Sequence, residues 1–237
     1  MEIWAHRGAS ARQPENTIAA FAAAMDAGAD GVELDVQLTS DGVPVVIHDE
    51  KVDRTHDGTG WVSSFSCAQL QKLRSLVKPK GDPAITRIPT LAEVLDLIAP
   101  GRQQINIELK NSVKPYKGLE TKVLALIGER KLADRVVLSS FNHYSLQRLR
   151  ERGWTGELAA VHDGMLREPW RYFRELDVQA VHPPRHVLMV PGFVTRAHRA
   201  GFKVRVWTVN KSAQRQRCAR LGVDGIFTDV VKPGPNW

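Results

Sequence analysis

Short apolar runs alternate with helical patterns along the whole chain, and this alternation limits the fold more than any single motif. Strand-like runs fall at Ile3–His6, Gly31–Leu38, Val43–His48, Gln104–Leu109, Val136–Ser140, Leu158–Val161, Val178–His182, Val204–Val209 and Val223–Thr228. Helical patterns at Asn16–Ala27, Thr90–Ala99, Tyr116–Arg130, Tyr144–Arg152, Arg171–Leu176, Pro191–Ala200 and Ser212–Leu221 separate most of them. Repeated strand and helix point to a parallel sheet covered by helices. At 237 residues the expected fold is one α/β domain, residues 1–237, closed as a (β/α)8 TIM-type barrel. Nine runs compete for eight places. The link Thr39-Ser40-Asp41-Gly42 is too short for a helical crossover, so one of the runs beside it is expected to be a hairpin arm. An open doubly wound sheet fits less well, because no GxGxxG turn follows the first strand.

The rhythm breaks after the His48 strand. Residues 50–87 carry Asp57-Gly-Thr-Gly-Trp61 and a helical pattern only near Ala68–Leu76. A structureless loop of this length is uncommon in a compact domain, so the stretch is read as a small inserted subdomain or lid.

The charge balance is basic: 33 Lys and Arg against 26 Asp and Glu, a formal net charge of +7. Such a field favours an anionic partner. The dense stretches Arg196–Arg205 and Arg215–Arg220 have helical or strand periodicity and read as solvated faces. They lack interleaved aromatics, so no nucleic-acid partner is expected. Cys67 and Cys218 share no CxxC spacing and read as reduced thiols rather than a zinc site. There is no signal-like start and no apolar run near the roughly 20 residues a spanning helix needs. The expectation is a cytoplasmic protein with no stable membrane anchor. Its oligomeric state is not constrained.

Polar residues gather at strand ends, where barrel enzymes carry their chemistry. His6 and Arg7 end the first run, and His48 and Asp49 end the third. Glu33 and Asp35 lie two apart in one strand and share a face, as do Glu108 and Lys110 in another. Glu33, Asp35 and Glu108 converging in a barrel interior repel one another, which one bound divalent cation relieves; an all-oxygen set favours Mg²⁺ or Ca²⁺. The simpler alternative is that the buried pair Glu33 and Asp35 is neutralised by Arg7 or Lys110 without a metal. Two histidines beside such a site can give and take protons near neutral pH. Arg7 offers a forked donor to phosphate and Lys110 a point charge. Trp207 reads either as a substrate contact or as ordinary core. His182 ends a strand and is a weaker pocket candidate, and no nucleophile elbow surrounds Ser139 or Ser140.

In sequence order, His6-Arg7-Gly8, Pro14-Glu15-Asn16-Thr17, Gly31-Val-Glu33-Leu-Asp35, Thr39-x-Asp41-Gly42, Val45-Val-Ile-His48-Asp49 and Arg54-Thr55…Gly58-x-Gly60 are followed by Ile88-Pro89-Thr90-Leu91, Ile107-Glu108-Leu109-Lys110, Ser139-Ser140-Phe141, Trp207-Thr208-Val209-Asn210 and Gly225-Ile-Phe-Thr228-Asp229. This ordered set resembles the glycerophosphodiester phosphodiesterase family, in particular its short, single-domain bacterial members. The resemblance implies a (β/α)8 barrel with a small insertion after the His48 strand. It implies Glu33, Asp35 and Glu108 as ligands of one divalent cation, His6 and His48 as an acid–base pair, and Arg7 and Lys110 on phosphate, with Trp207 also placed at the substrate. The implied reaction takes a small-molecule glycerophosphodiester and water to glycerol 3-phosphate and an alcohol. Attack by the glycerol 2-hydroxyl through a cyclic phosphate and direct attack by water both stay open. A lysophospholipase D-type reaction on the same scaffold is the nearest rival, for which Trp61, Val62 and Phe65 in the insertion are candidate lipid contacts. A non-catalytic phosphate-binding barrel is expected to have lost a member of the set, and none is missing.

Overall fold

The computed structural model describes residues 1–77, 82–164, 166 and 169–232. The elements, in order, are β1 (Glu2–His6), α1 (Ile18–Asp26), β2 (Gly31–Leu38), β3 (Pro44–Val46), α2 (Cys67–Leu70), α3 (Pro83–Thr86), α4 (Leu91–Ile98), β4 (Gln104–Leu109), α5 (Leu119–Glu129), β5 (Val136–Ser140), α6 (His143–Glu151), β6 (Glu157–Val161), α7 (Trp170–Glu175), β7 (Ala180–His182), α8 (Phe193–Arg199), β8 (Lys203–Val206), α9 (Ser212–Arg220) and β9 (Gly225–Thr228). The strands run β1-β9-β8-β7-β6-β5-β4-β2, and β1 pairs with β2 to close an eight-stranded parallel barrel. β3 hangs on the outside of the ring as an antiparallel partner of β2, with Leu38 opposite Pro44. That is the hairpin arm the short Thr39–Gly42 link requires.

Side-chain alternation sorts each strand between two environments. In β2 every residue is buried. Val32, Leu34 and Val36 join the outer core with Phe21 of α1 and Leu91 and Leu95 of α4, while Glu33 and Asp35 face the interior cavity. α4 begins at the expected cap: the Thr90 hydroxyl accepts from the Glu93 amide, and the Glu93 carboxylate accepts from the Thr90 amide.

The interior is layered. Trp4, Val137, Ala159, Ala180 and Phe227 form an apolar middle layer. Gly31 is required there, because a Cβ would lie 2.5 Å from the Trp4 ring. At the N-terminal end of the strands Arg205 lies 5.0 Å from the Trp4 ring centroid and pairs with Glu2 and Glu157. The Arg196–Arg205 and Arg215–Arg220 stretches are therefore not wholly solvated faces. Arg205 is only 3% exposed, because an inward position on β8 carries it under the barrel, and Arg215 is buried and donates to the Val230 carbonyl.

After β3 the chain builds a small core of its own from Val45, Ile47, Val52, Val62, Leu70 and Ile88. Residues 78–81 of the 50–87 stretch lie outside the described residues. Helix α2 ends at Leu70, short of the expected Leu76, because the following residues are recruited as extended chain. Ser75 bridges His56, and Arg74 donates from its amide and Nε to Asp57. Among the described residues no helix is long and apolar enough to cross a membrane.

Replacing Arg205 with Ala leaves Glu157 half-buried beneath the barrel without its strongest partner. Removing one member of such a pair costs about 3 kcal/mol. Urea unfolding is expected to show a loss of that size; a loss below about 0.5 kcal/mol, the range of an ordinary surface substitution, would show the ion pairs to be incidental.

Candidate active site

The cavity at the C-terminal ends of the strands is built from β1, β2 and β4 and the turns that leave them. Residues Arg7 and Gly8 both have positive φ, +56° and +81°, which folds the chain sharply back after β1. Gly8 is the only residue type that fits this turn, since a Cβ would lie 2.6 Å from the Ala20 backbone. The turn aims the Arg7 amide at Glu33, to which it donates at 2.8 Å. β2 and β4 pair in register with Asp35 beside Glu108 and Glu33 beside Asn106. Carboxylate oxygens of Glu33, Asp35 and Glu108 consequently lie within 4.8 Å of one another.

Two cations stand against this triad. Lys110 Nζ is 2.9 Å from Glu108 and 3.8 Å from Asp35, while Arg7 Nε is 3.5 Å from Asp35 and Arg7 Nη1 donates to Glu15 at 2.9 Å. The metal-free pairing foreseen as an alternative is thus partly realised, yet it does not balance the site. Burial, then the charges of Asp35 and Glu108, push the Glu33 carboxyl well above its ordinary value. Burial also works against the Asp35 charge, but His48, Lys110, Arg7 and a 2.8 Å hydrogen bond from Asn16 outweigh it and hold Asp35 well below the usual carboxylate range. Three hard oxygen donors, one of them destabilised by the other two, are a donor set suited to a divalent cation.

Two of the cavity's histidines, His6 and His48, each have a carboxylate behind them. His6 Nδ1 is 2.7 Å from Asp229 Oδ1, and Asp229 also accepts from Ser10 and from Asn210 Nδ2. His48 Nδ1 is 2.6 Å from Asp49 Oδ1, and Asp49 accepts from Arg54, which also donates to Glu15. Nδ1 directed at a carboxylate leaves Nε2 as the nitrogen that can exchange a proton with a ligand. Burial opposes the charge of both aspartates, but hydrogen bonds from Arg54 and His48 bring Asp49 down to about 2, and the hydrogen bond and charge of His6 do the same for Asp229. The His48 turn is pinned from below: Gln37 Nε2 donates to the carbonyls of Ile47, His48 and Asp49, and accepts at Oε1 from the Tyr116 hydroxyl.

All the expected site residues, His6, Arg7, Glu33, Asp35, His48, Glu108, Lys110 and Trp207, line one cavity of about 430 Å³. Trp207 is neither plain core nor free, since its Nε1 donates to the His182 carbonyl and Phe141 packs edge-on at 6.0 Å. His182 lies in the cavity wall against Phe227, where burial pushes it well below its ordinary value, so it stays neutral. Ser139 accepts a hydrogen bond from Asn106. The supporting roles of Glu15, Asn16, Gln37, Asp49, Arg54 and Asp229 were missed by sequence reasoning. Their one signal was position, beside or within motifs whose other members carry charge.

Comparison with known proteins agrees with this arrangement. The glycerophosphoryl diester phosphodiesterase family model matches residues 6–232. A glycerophosphodiester phosphodiesterase of Caldanaerobacter subterraneus subsp. tengcongensis is 43% identical over 227 residues, covering 96% of this chain and 93% of that one. A phosphodiesterase of Oleispira antarctica, solved in complex with the product sn-glycerol-3-phosphate, superposes with a TM-score of 0.83 at 29% identity, covering 98% of this chain and 94% of the other. A glycerophosphodiester phosphodiesterase structure from Thermotoga maritima gives a TM-score of 0.79 at 26% identity, over 98% of this chain and 96% of the other.

Because Asp49 and Asp229 are depressed to about 2, their contribution to stability is complete above the unfolded value of about 3.9 and is lost as pH falls through the folded value. The urea midpoint is expected to drop between about pH 4 and pH 2, and the Asp49→Asn/Asp229→Asn protein to show a shallower drop. Parallel curves for the two proteins would contradict the pairing.

Proposed function

The chain belongs to the glycerophosphoryl diester phosphodiesterase family, and from that premise we propose that it hydrolyses glycerophosphodiesters to glycerol 3-phosphate and an alcohol with one divalent cation, Mg²⁺ or Ca²⁺, held by Glu33, Asp35 and Glu108. The reading makes it an enzyme, a phosphoric diester hydrolase. The observation that carries it is the meeting, in one cavity, of a close carboxylate triad with two histidines each backed by a carboxylate. When bound, the cation supplies positive charge to phosphoryl oxygens as the transition state forms.

This chain's own residues supply the rest. Arg7 and Lys110 hold the phosphate from two sides, Arg7 as a fork and Lys110 as a point charge. Trp207 packs against the organic part of the substrate. Of His6 and His48, one takes the proton of the attacking hydroxyl and the other gives a proton to the departing alkoxide, each at Nε2. Asp229 and Asp49 fix the tautomer and stabilise the protonated ring. Within the proposal residues 50–87 are an insertion whose Arg54 ties it to the catalytic rim through Asp49 and Glu15. A cytoplasmic location is part of the same reading and accords with the free thiols of Cys67 and Cys218.

His6→Ala and His48→Ala are each expected to lower glycerol 3-phosphate release from glycerophosphocholine by about 10²- to 10⁴-fold with the fold intact by circular dichroism. Near-normal turnover in either would remove that histidine from the mechanism. The triad makes a second prediction. Since burial, then the charges of Asp35 and Glu108, raise the Glu33 carboxyl, cation binding is expected to displace a proton from Glu33, so calorimetry in buffers of different ionisation heat is expected to show proton release and an apparent affinity that rises with pH. Affinity independent of pH would contradict the assignment of Glu33 as a ligand.

A further inference from the structure

The catalytic cavity has two sides of different character. The carboxylate triad, Arg7 and Lys110 stand at the ends of β1, β2 and β4. In the closed ring β7 lies four places from β2, directly across the barrel. Among the described residues, Ser139, Phe141, Val161, His182, Trp207 and Phe227 line that far wall, and none is an acid, a lysine or an arginine. His182, at the end of β7, is the one titratable side chain among them. It is 2% exposed, and its ring makes no hydrogen bond, Nε2 being buried without a partner. A neutral imidazole carries one N–H donor and one acceptor nitrogen, and buried groups of this kind are nearly always bonded.

The surroundings hold this ring in place before any ligand arrives. Pro183 and Pro184 follow His182, and a proline restricts the residue before it to extended backbone. The His182 carbonyl accepts from Trp207 Nε1 at 2.8 Å, and the ring stands edge-on to Phe227 with centroids 4.9 Å apart. The Trp207 amide donates to the Pro183 carbonyl at 3.2 Å, which fixes the two walls to each other. Burial, then the positive charge of Arg205 below, keeps the ring neutral. A phenyl ring would fill the same space without an unmet polar group, so packing alone does not account for histidine here. The chemistry of the ring selects its partner. A hydroxyl gives one hydrogen bond and accepts another, which matches a neutral imidazole. A quaternary ammonium does neither, and the charge of Arg205 opposes any cation. In the proposed reaction the phosphate lies on Arg7 and Lys110, and the attacking group is the 2-hydroxyl of glycerol or water. The terminal hydroxyl is the polar group of the glycerol half that has no partner on the triad side.

We infer that His182 is a specificity-determining residue, which hydrogen-bonds the terminal hydroxyl of the substrate's glycerol half from across the cavity. The inference rests on the proposed function for the position of the phosphate and deepens it, by naming the residue that tells a glycerol diester from a diester of a smaller diol. His182 leaves the reacting atoms alone, and the bonds made and broken are unchanged. A diester without the terminal hydroxyl still presents its phosphate and its 2-hydroxyl, but it covers the ring without satisfying it. An unmet buried polar group of this kind is worth about 30-fold in kcat/KM.

The test compares glycerophosphocholine with 2-hydroxypropylphosphocholine, the same diester with hydrogen in place of the terminal hydroxyl. Phosphorus NMR follows phosphomonoester release by the whole protein with Mg²⁺ or Ca²⁺ present. The wild type is expected to favour glycerophosphocholine by about 30-fold in kcat/KM, and His182→Phe, which keeps a ring and removes both nitrogens, to reduce that ratio below about threefold. His182→Gln keeps a donor and an acceptor and is expected to recover part of the ratio. The urea midpoint of His182→Phe is expected at or above that of the wild type, because a buried unmet polar group is gone. Should that variant fail to fold, His182→Leu carries the same comparison. Glycerophosphoethanolamine is the control for the leaving group, and its ratio to glycerophosphocholine is expected to be the same in wild type and variants. Equal kcat/KM for the two choline diesters in the wild type, or a ratio that His182→Phe leaves unchanged, would overturn the inference. So would a change confined to the choline-to-ethanolamine ratio, which would place His182 at the leaving group. Failure of the proposed function reads differently: no diester is turned over, and calorimetry with glycerol 3-phosphate and 2-hydroxypropyl phosphate then decides, with about 30-fold tighter binding of the former expected and equal affinity, or binding of neither, overturning the inference.

Discussion

Three carboxylates forced into one small volume set the terms for the rest of this molecule. Parallel pairing of β2 with β4 puts Asp35 beside Glu108, and the two-residue period of β2 brings Glu33 to the same face. No rearrangement of side chains removes that repulsion while the register holds. The surrounding structure answers it with counter-charge and donors. Arg7 and Lys110 come from the ends of β1 and β4, the strands on either side of β2, the Arg7 amide reaches Glu33, and Asn16 donates to Asp35. Even the sharp turn after β1, with its left-handed Arg7 and Gly8, serves to bring one N–H to the triad. Two cations for three carboxylates leaves the balance short, and the deficit falls on Glu33.

The barrel keeps this tension at one end. Below it lie the aromatic and aliphatic middle layer and the Arg205 pairs, in which Arg205 and Lys203 face Glu2 and Glu157 beneath Trp4. The unbalanced charge is thus confined to the top of the barrel, above an apolar and ion-paired interior. The two histidines extend the same logic. Each is held by a carboxylate that is itself held: Asp229 by Ser10 and Asn210, Asp49 by Arg54. Arg54 also grips Glu15, and Glu15 grips Arg7, so the His48 side of the cavity and the Arg7 side belong to one ion-paired chain.

Much of this was legible in the sequence, for reasons that can be named. Gln104–Leu109 and Val136–Ser140 are strands with the expected bounds because short apolar runs between helical patterns leave few choices. The Thr90 cap was readable because a capping box is local. The four-residue link after Leu38 foretold β3 as an outside arm. What escaped was non-local. Nothing in the order of residues says that Arg205, in a run of basic residues, points inward beneath Trp4, or that Arg74 and Ser75 leave a helical pattern to pair with Asp57 and His56. The site residues themselves stood out because strand ends rarely carry acids and histidines without cause. Their supports, Asp229 across 223 positions from His6 and Arg54 across 39 from Glu15, become visible only when the barrel closes.

The most direct measurement is glycerol 3-phosphate release from glycerophosphocholine by protein stripped with EDTA, before and after Mg²⁺ or Ca²⁺ is restored. The account predicts negligible release from the stripped protein and recovery on restoring one of the ions, with glycerol 3-phosphate and choline formed in equal amounts. Undiminished release after stripping would contradict it, because the carboxylate triad would then have no cation to hold and its counter-charge would come from Arg7 and Lys110 alone.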